Sequence, residues 1–125
     1  MNKNVLITGG AGFIGSHLVD LLVQKGFKVT VIDNLSSGNM SNLNFSIDKI
    51  KFIKVNLANK IELNKKLKNK KFDYCVHLAA LADIVPSITN PEKYFSANVI
   101  GTFNLLEFLR NKKIKKFIYS ASSSC

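Results

Sequence analysis

The stretch Thr8-Gly9-Gly10-Ala11-Gly12-Phe13-Ile14-Gly15 follows the apolar run Val5-Leu6-Ile7 and leads into Ser16-His17-Leu18-Val19-Asp20-Leu21-Leu22-Val23. A short β-type run, a glycine turn and an amphipathic helix stand in sequence. Glycine tolerates φ > 0 and leaves no Cβ between the backbone and a ligand. The first N–H groups of the following helix have no intrahelical acceptor, and the positive end of the helix dipole lies there. Together these features make a cradle for a phosphate.

Two spacings are present. Gly10-x-Gly12-x-x-Gly15 fits the dinucleotide fingerprint, and Gly9-x-x-Gly12-x-x-Gly15 fits a longer-spaced variant. Gly12 brings backbone close to a pyrophosphate, and Gly15 lets the helix pack tightly on the first strand. Phe27–Ile32 reads as a second strand, and Asp33 closes it near the ~20-residue spacing expected after the last glycine. Its carboxylate can accept hydrogen bonds from both ribose hydroxyls of an adenosine. A 2′-phosphate about 4 Å away would meet repulsion on the order of 4 kcal/mol at an effective dielectric of ~20. The only arginine is Arg110, so no guanidinium follows Asp33 to offset this charge. These residues point to NAD rather than NADP.

The remaining elements alternate. A polar turn over Ser36–Asn42 precedes a third strand at Lys51–Val55. Asn59 can cap a helix over Ile61–Leu67, with Ile61, Leu63 and Leu67 facing inward. Phe72–Ala79 reads as a buried fourth strand, and a loop with Pro86 leads to Pro91 at the first turn of a long helix. That helix is expected to reach about Asn111, its apolar positions Phe95, Val99, Phe103, Leu106 and Leu109 recurring at helical spacing. Lys116–Ala121 is a fifth strand. Strands alternating with helices imply an α/β, doubly wound parallel sheet of Rossmann type in the order 3-2-1-4-5. Ligands of such sheets lie outside the carboxyl ends of the strands. The chain ends just after Ser120–Ser124 reach that edge, so residues 1–125 are expected to be the N-terminal portion of a dinucleotide-binding domain, truncated after the fifth strand and lacking a substrate domain.

Composition sets the outer bounds. The 125 residues, 46% hydrophobic and 21% charged, suit one ordered domain. No apolar run approaches the ~20 residues that span a bilayer. The early apolar run breaks at Gly9-Gly10, unlike a signal peptide, so a cytoplasmic setting with no membrane partner is expected. Cys75 and Cys125 make neither a disulfide framework nor a metal cluster. The net charge of +10 raises nucleic acid as a partner. Lysine runs at helix C-termini complement the dipole, however, and groove readers favour arginine. His77 reads as a buried strand histidine bonded to backbone, and Asn98 as a tie between the long helix and the strand ends. Asp83 stands in a loop suited to substrate contacts.

Thr8–Leu18, Asp33–Gly38, His77–Ala80, Asn98–Thr102 and Phe117–Ser124 occur in the order and spacing of the extended short-chain dehydrogenase/reductases. The chain resembles their NAD-dependent epimerase/dehydratase group, with UDP-glucose 4-epimerase the nearest relative. The resemblance implies that Gly9, Gly12, Phe13, Ile14 and Gly15 hold the pyrophosphate and that Asp33 and Asn34 hold the adenosine ribose. It also places Asn56 and Leu57 at adenine, and Leu78, Ala79 and Ala80 under the central part of the cofactor. Ser122 would be catalytic, hydrogen-bonding the nucleotide-sugar hydroxyl oxidised at C4. A tyrosine would take the proton while hydride passes to NAD; Ser123 and Ser124 are weaker candidates. Relatives often pair as homodimers through helices of this region.

The chain departs from the family pattern at three places. No Tyr-x-x-x-Lys occurs in it, so the 125 residues alone are expected to be inactive. Asn56 replaces the usual aspartate, and Ala82 stands where close galactose-type epimerases carry lysine. Two other readings compete with the enzyme: a catalytically silent NAD-binding module and a basic nucleic-acid-binding protein.

Overall fold

The computed structural model describes residues 3–122. Five strands, β1 (Asn4–Thr8), β2 (Lys28–Asp33), β3 (Ile50–Lys54), β4 (Tyr74–His77) and β5 (Lys116–Tyr119), form one parallel sheet in the order β3-β2-β1-β4-β5. That is the order expected from the alternation of elements. Val5, Leu6, Ile7 and Thr8 are buried because β1 sits at the centre with helices over both faces. The strand order reverses beside β1, where β2 continues to one side and β4 to the other, and this opens a crevice at the carboxyl edge.

Two apolar layers cover the sheet. On one face Val19 of α1 (Phe13–Gln24) packs with Val5, Ile7, Val29 and Val31. On the other, Leu63 of α2 (Lys60–Lys66) and Leu105 and Leu109 of α5 (Gly101–Leu109) meet Leu6, Ile32 and Cys75. Burial pushes the Cys75 thiol up to about 12, so it stays protonated as a small core residue. No helix among the described residues is long and apolar enough to cross a membrane.

Three expectations about helices need correction. Ile61 does not face inward; it is 81% exposed, whereas Leu63 and Leu67 are fully buried. Residues two apart point to opposite sides of a helix, while residues four apart share a face. The Pro86 loop contains a short helix, α3 (Ile84–Thr89), with Pro86 in its first turn, where its missing N–H costs nothing. The long helix is α4 (Pro91–Phe95), a π-helical turn (Ser96–Ile100) and α5, rather than one regular helix. Its apolar stripe also turns outward: Phe95, Val99, Phe103 and Leu106 are exposed, and of the residues read from spacing only Leu109 is buried. The core is met instead by Gly101, Asn104 and Leu105.

Truncating Leu63→Ala should therefore cost about 2–5 kcal/mol. Ile61→Ala, two residues away, should stay within about 0.5 kcal/mol. Urea unfolding of both variants measures the contrast.

Candidate functional site

The glycine turn joins β1 to α1 with its backbone unobstructed. Gly12 is the N-cap of α1, in extended conformation, and no side chain caps this end. Its carbonyl accepts the N–H of Ser16, so the first-turn N–H groups of Phe13, Ile14 and Gly15 are left for an external acceptor. At the start of α2, by contrast, Asn59 accepts the N–H of Glu62. Gly9 has φ 72°, and a Cβ there would lie 2.8 Å from the backbone nitrogen of Ala79. A Cβ on Gly15 would collide with the Gly9 carbonyl oxygen. Gly10 is buried, where a Cβ would meet Val31, and it does not line the cleft. Of the two glycine spacings, the one through Gly9, Gly12 and Gly15 therefore frames the site.

Asp33 closes this cradle from β2. Its Oδ2 accepts the N–H of Ala11 at 3.0 Å and its Oδ1 accepts the N–H of Leu35 at 2.8 Å. Leu35 reaches this position with a left-handed φ of 62°. Each carboxylate oxygen keeps a further lone pair, so two hydroxyls can still donate to it. The Ala11 carbonyl is held in turn by the Asn39 N–H and the Asn42 amide. The turn is thus fixed through both backbone polar groups of Ala11.

A cleft of about 420 Å³ runs along the carboxyl edge of the sheet. Every residue expected to contact the cofactor lies on its wall: Gly9, Gly12, Phe13, Ile14 and Gly15 at the turn, Asp33 and Asn34 after β2, Asn56 and Leu57 after β3, and Leu78, Ala79 and Ala80 after β4. Ser122 is exposed and is not on the wall, which Ser120 lines instead. Ser123 and Ser124 lie outside the described residues. The side-chain oxygen of Asn56 accepts the N–H of Ala58, and that of Asn34 accepts the N–H of Ser36. Each keeps one lone pair for a ligand.

The spacing of motifs did not disclose how the far wall is positioned. Gly101 is buried against Leu57, where a Cβ would stand 3.1 Å from the Leu57 Cβ, and the buried Asn104 amide donates to the Leu57 carbonyl at 2.8 Å. The Asn98 amide accepts from the Leu81 N–H and donates to the Leu81 carbonyl, as expected of a tie between helix and strand ends. Ala97, on the same π turn, lines the cleft. An extra residue in a helical turn re-aims side chains, here toward the cleft edge. Ser36, Ser37 and Gly38, which belong to the Asp33–Gly38 motif but were given no contact of their own, also line the cleft.

The model of the NAD dependent epimerase/dehydratase family matches residues 5–125. The chain belongs to this family. It is 36% identical to the bifunctional UDP-glucose 4-epimerase and UDP-xylose 4-epimerase 3 of Arabidopsis thaliana, over 99% of this chain and 38% of that protein. Among solved structures it resembles the UDP-N-acetylglucosamine 4-epimerase of Methanobrevibacter ruminantium M1, with 46% identity and a TM-score of 0.85 over 98% of this chain and 39% of that one. The UDP-glucose 4-epimerase of Brucella ovis, solved in complex with NAD, shows 34% identity and a TM-score of 0.85 over 98% and 36%. The chain spans well under half the length of these epimerases.

In this epimerase/dehydratase-family domain the only ionisable side chain on the described cleft wall is Asp33. His77 stands behind the wall and is buried. Its partners are not backbone groups, as the sequence suggested, but two hydroxyls. Thr8 Oγ1 lies 2.5 Å from Nδ1 and Thr102 Oγ1 lies 2.8 Å from Nε2. Thr8 Oγ1 also accepts the N–H groups of Leu78 and Ala79, so its own proton is free to donate to Nδ1. Thr102 donates to the Asn98 carbonyl, which leaves its oxygen to accept from Nε2–H. The partners thereby select the Nε2–H tautomer of a neutral imidazole.

Burial lowers the His77 pKa to about 4 from 6.5. On acidification the unfolded chain binds this proton first. Stability is therefore complete above about pH 6.5 and falls as pH drops toward 4, by up to about 3 kcal/mol. Denaturant unfolding from pH 7.5 to 4.5 should show this slope. His77→Asn should be less stable at neutral pH, by about 2 kcal/mol, and flatter across that window.

Proposed function

We propose that this domain holds NAD along the carboxyl-edge cleft and forms the cofactor half of an enzyme acting on a nucleotide-linked sugar. The observation that carries this reading is the uncapped first turn of α1 facing the pinned Asp33 carboxylate across one cleft. The donors suit a diphosphate and the acceptor suits ribose hydroxyls, which is the complementarity of an adenine dinucleotide. Gly12, Phe13, Ile14 and Gly15 would hold the pyrophosphate and Asp33 with Asn34 the ribose. Gly9 would stand with these glycines at the pyrophosphate, Asn56 and Leu57 would flank adenine, and Leu78, Ala79 and Ala80 would support the central part.

Bound NAD supplies a hydride acceptor for the sugar C4. This chain's own part is to bind and orient the cofactor, and we assign to Ser122 a hydrogen bond to the reacting sugar hydroxyl. No proton-transfer pair stands on the described wall, and none of Tyr74, Tyr94 and Tyr119 has a lysine four residues on. A polypeptide of residues 1–125 alone should accordingly show no UDP-sugar epimerisation in a coupled assay. The exposed stripe of Phe95, Val99, Phe103 and Leu106 is suited to the pairing of two copies that the family resemblance implies.

The silent NAD-binding module shares the cofactor but not the chemistry, so turnover by the full-length gene product separates the two. A basic nucleic-acid role finds no support in the cleft, whose one charge is negative. Calorimetric titration with both cofactors tests the core reading. NAD should bind at least about tenfold tighter than NADP, because the 2′-phosphate meets Asp33. Asp33→Asn should weaken NAD by about tenfold or more and narrow the preference. Equal affinity of the unaltered protein for NAD and NADP would remove the role given to Asp33.

A further inference from the structure

A second cavity, of about 520 Å³, opens at the amino edge of the sheet, on the side away from the glycine turn. Lys28 from the start of β2, Lys49 and Lys51 from the entry to β3, and Lys70 and Lys71 from the segment before β4 all line it. Asp48 is the one acidic residue on its wall. Parallel strands begin at this edge, so lysines far apart in sequence converge on one opening. The buried Phe72 contributes to its wall.

These lysines are not accounted for by helix ends. Lys65 and Lys66 occupy the last turn of α2 and complement its dipole there, but Lys28, Lys49 and Lys51 belong to strands or a 3-10 turn, and Lys70 and Lys71 lie past the helix cap. The ion pairs among the described residues use Lys66, Arg110 and Lys115, and none of the five cavity lysines has a carboxylate within 4.0 Å. Lys51 and Lys70 instead approach each other. That side-chain contact, followed by burial and by the Lys51 charge, lowers the Lys70 pKa below the ordinary lysine value. Like charges gathered around a cavity repel, and a multiply charged anion between them would relieve the repulsion.

We propose that this cavity is a second, separate anion site that takes a compact oligophosphate, either inorganic polyphosphate or the phosphate arm of a nucleotide. Its volume falls within the range of small-molecule pockets and leaves room for more than one phosphate group. Ammonium groups on flexible stems adapt to the tetrahedral oxygens of such a chain as point charges, without bidentate geometry. The site lies across the sheet from the NAD cleft, shares no residue with it, and does not depend on what the cleft binds.

The test is calorimetric titration of the full-length gene product, with NAD at saturation so that the glycine turn is not a competing phosphate site. Inorganic tripolyphosphate, ATP and a single-stranded oligonucleotide are the probes. Tripolyphosphate should bind, and the double variant Lys51→Gln/Lys70→Gln should weaken it by about tenfold or more with NAD affinity unchanged. The control Lys60→Gln/Lys93→Gln removes equal charge from exposed helix positions and should leave it unchanged. ATP binding no tighter than tripolyphosphate assigns the site to phosphate alone, and tighter binding adds a nucleoside contact; both uphold it. Absence of binding by both phosphates, or an equal loss in the control variant, would overturn the proposal. So would an oligonucleotide that binds tighter than both and with a steeper salt dependence, which would indicate a nucleic-acid surface.

Discussion

The hydrogen bond from the Ala11 N–H to the Asp33 carboxylate is the constraint on which the candidate site depends. It ties the turn after β1 to the end of β2, the two places where a dinucleotide must be held. The second carboxylate oxygen takes the Leu35 N–H, so the side chain cannot swing away without losing both bonds. The Asn39 N–H and the Asn42 amide hold the carbonyl of Ala11. A loop fixed in this way loses little conformational freedom when a ligand arrives, so more of the contact energy appears as affinity.

The opposite side of the cleft is set by a second polar system, centred on Thr8. Its hydroxyl collects the Leu78 and Ala79 N–H groups and passes its proton to His77, and the chain of donors continues through Thr102 to the Asn98 carbonyl. β1, the floor after β4 and the π turn are thereby joined by one continuous set of hydrogen bonds. A directional chain of this kind is worth most when every member is satisfied, and no buried side-chain polar atom among the described residues lacks a partner. The apolar layers on either face stabilise the sheet, but these two polar systems place the cleft on it.

Much of this was legible because it is local. A glycine turn between a strand and a helix, and an acid closing the second strand, are patterns of neighbouring residues, and strict alternation of elements implies the strand order. What escaped was non-local or depended on direction. The partners of His77 come from β1 and from α5, far away in the chain. The grip of Asn104 on the Leu57 carbonyl spans two elements, and nothing about an asparagine in a helix announces it. The outward turn of Phe95, Val99, Phe103 and Leu106 escaped for a different reason: periodicity shows that a helix has an apolar face but not which way the face looks. Gly10 was indistinguishable from Gly9 in sequence, since either completes a glycine pattern; only its contact with Val31 assigns it to the core.

The most direct measurement is a backbone-amide NMR titration of the full-length gene product with NAD. The largest shift changes should fall on the amides of Phe13, Ile14 and Gly15, followed by Ala11 and Leu35, which report the Asp33 carboxylate. Saturation with NAD that leaves those amides unmoved, with the changes clustered on another surface, would contradict it.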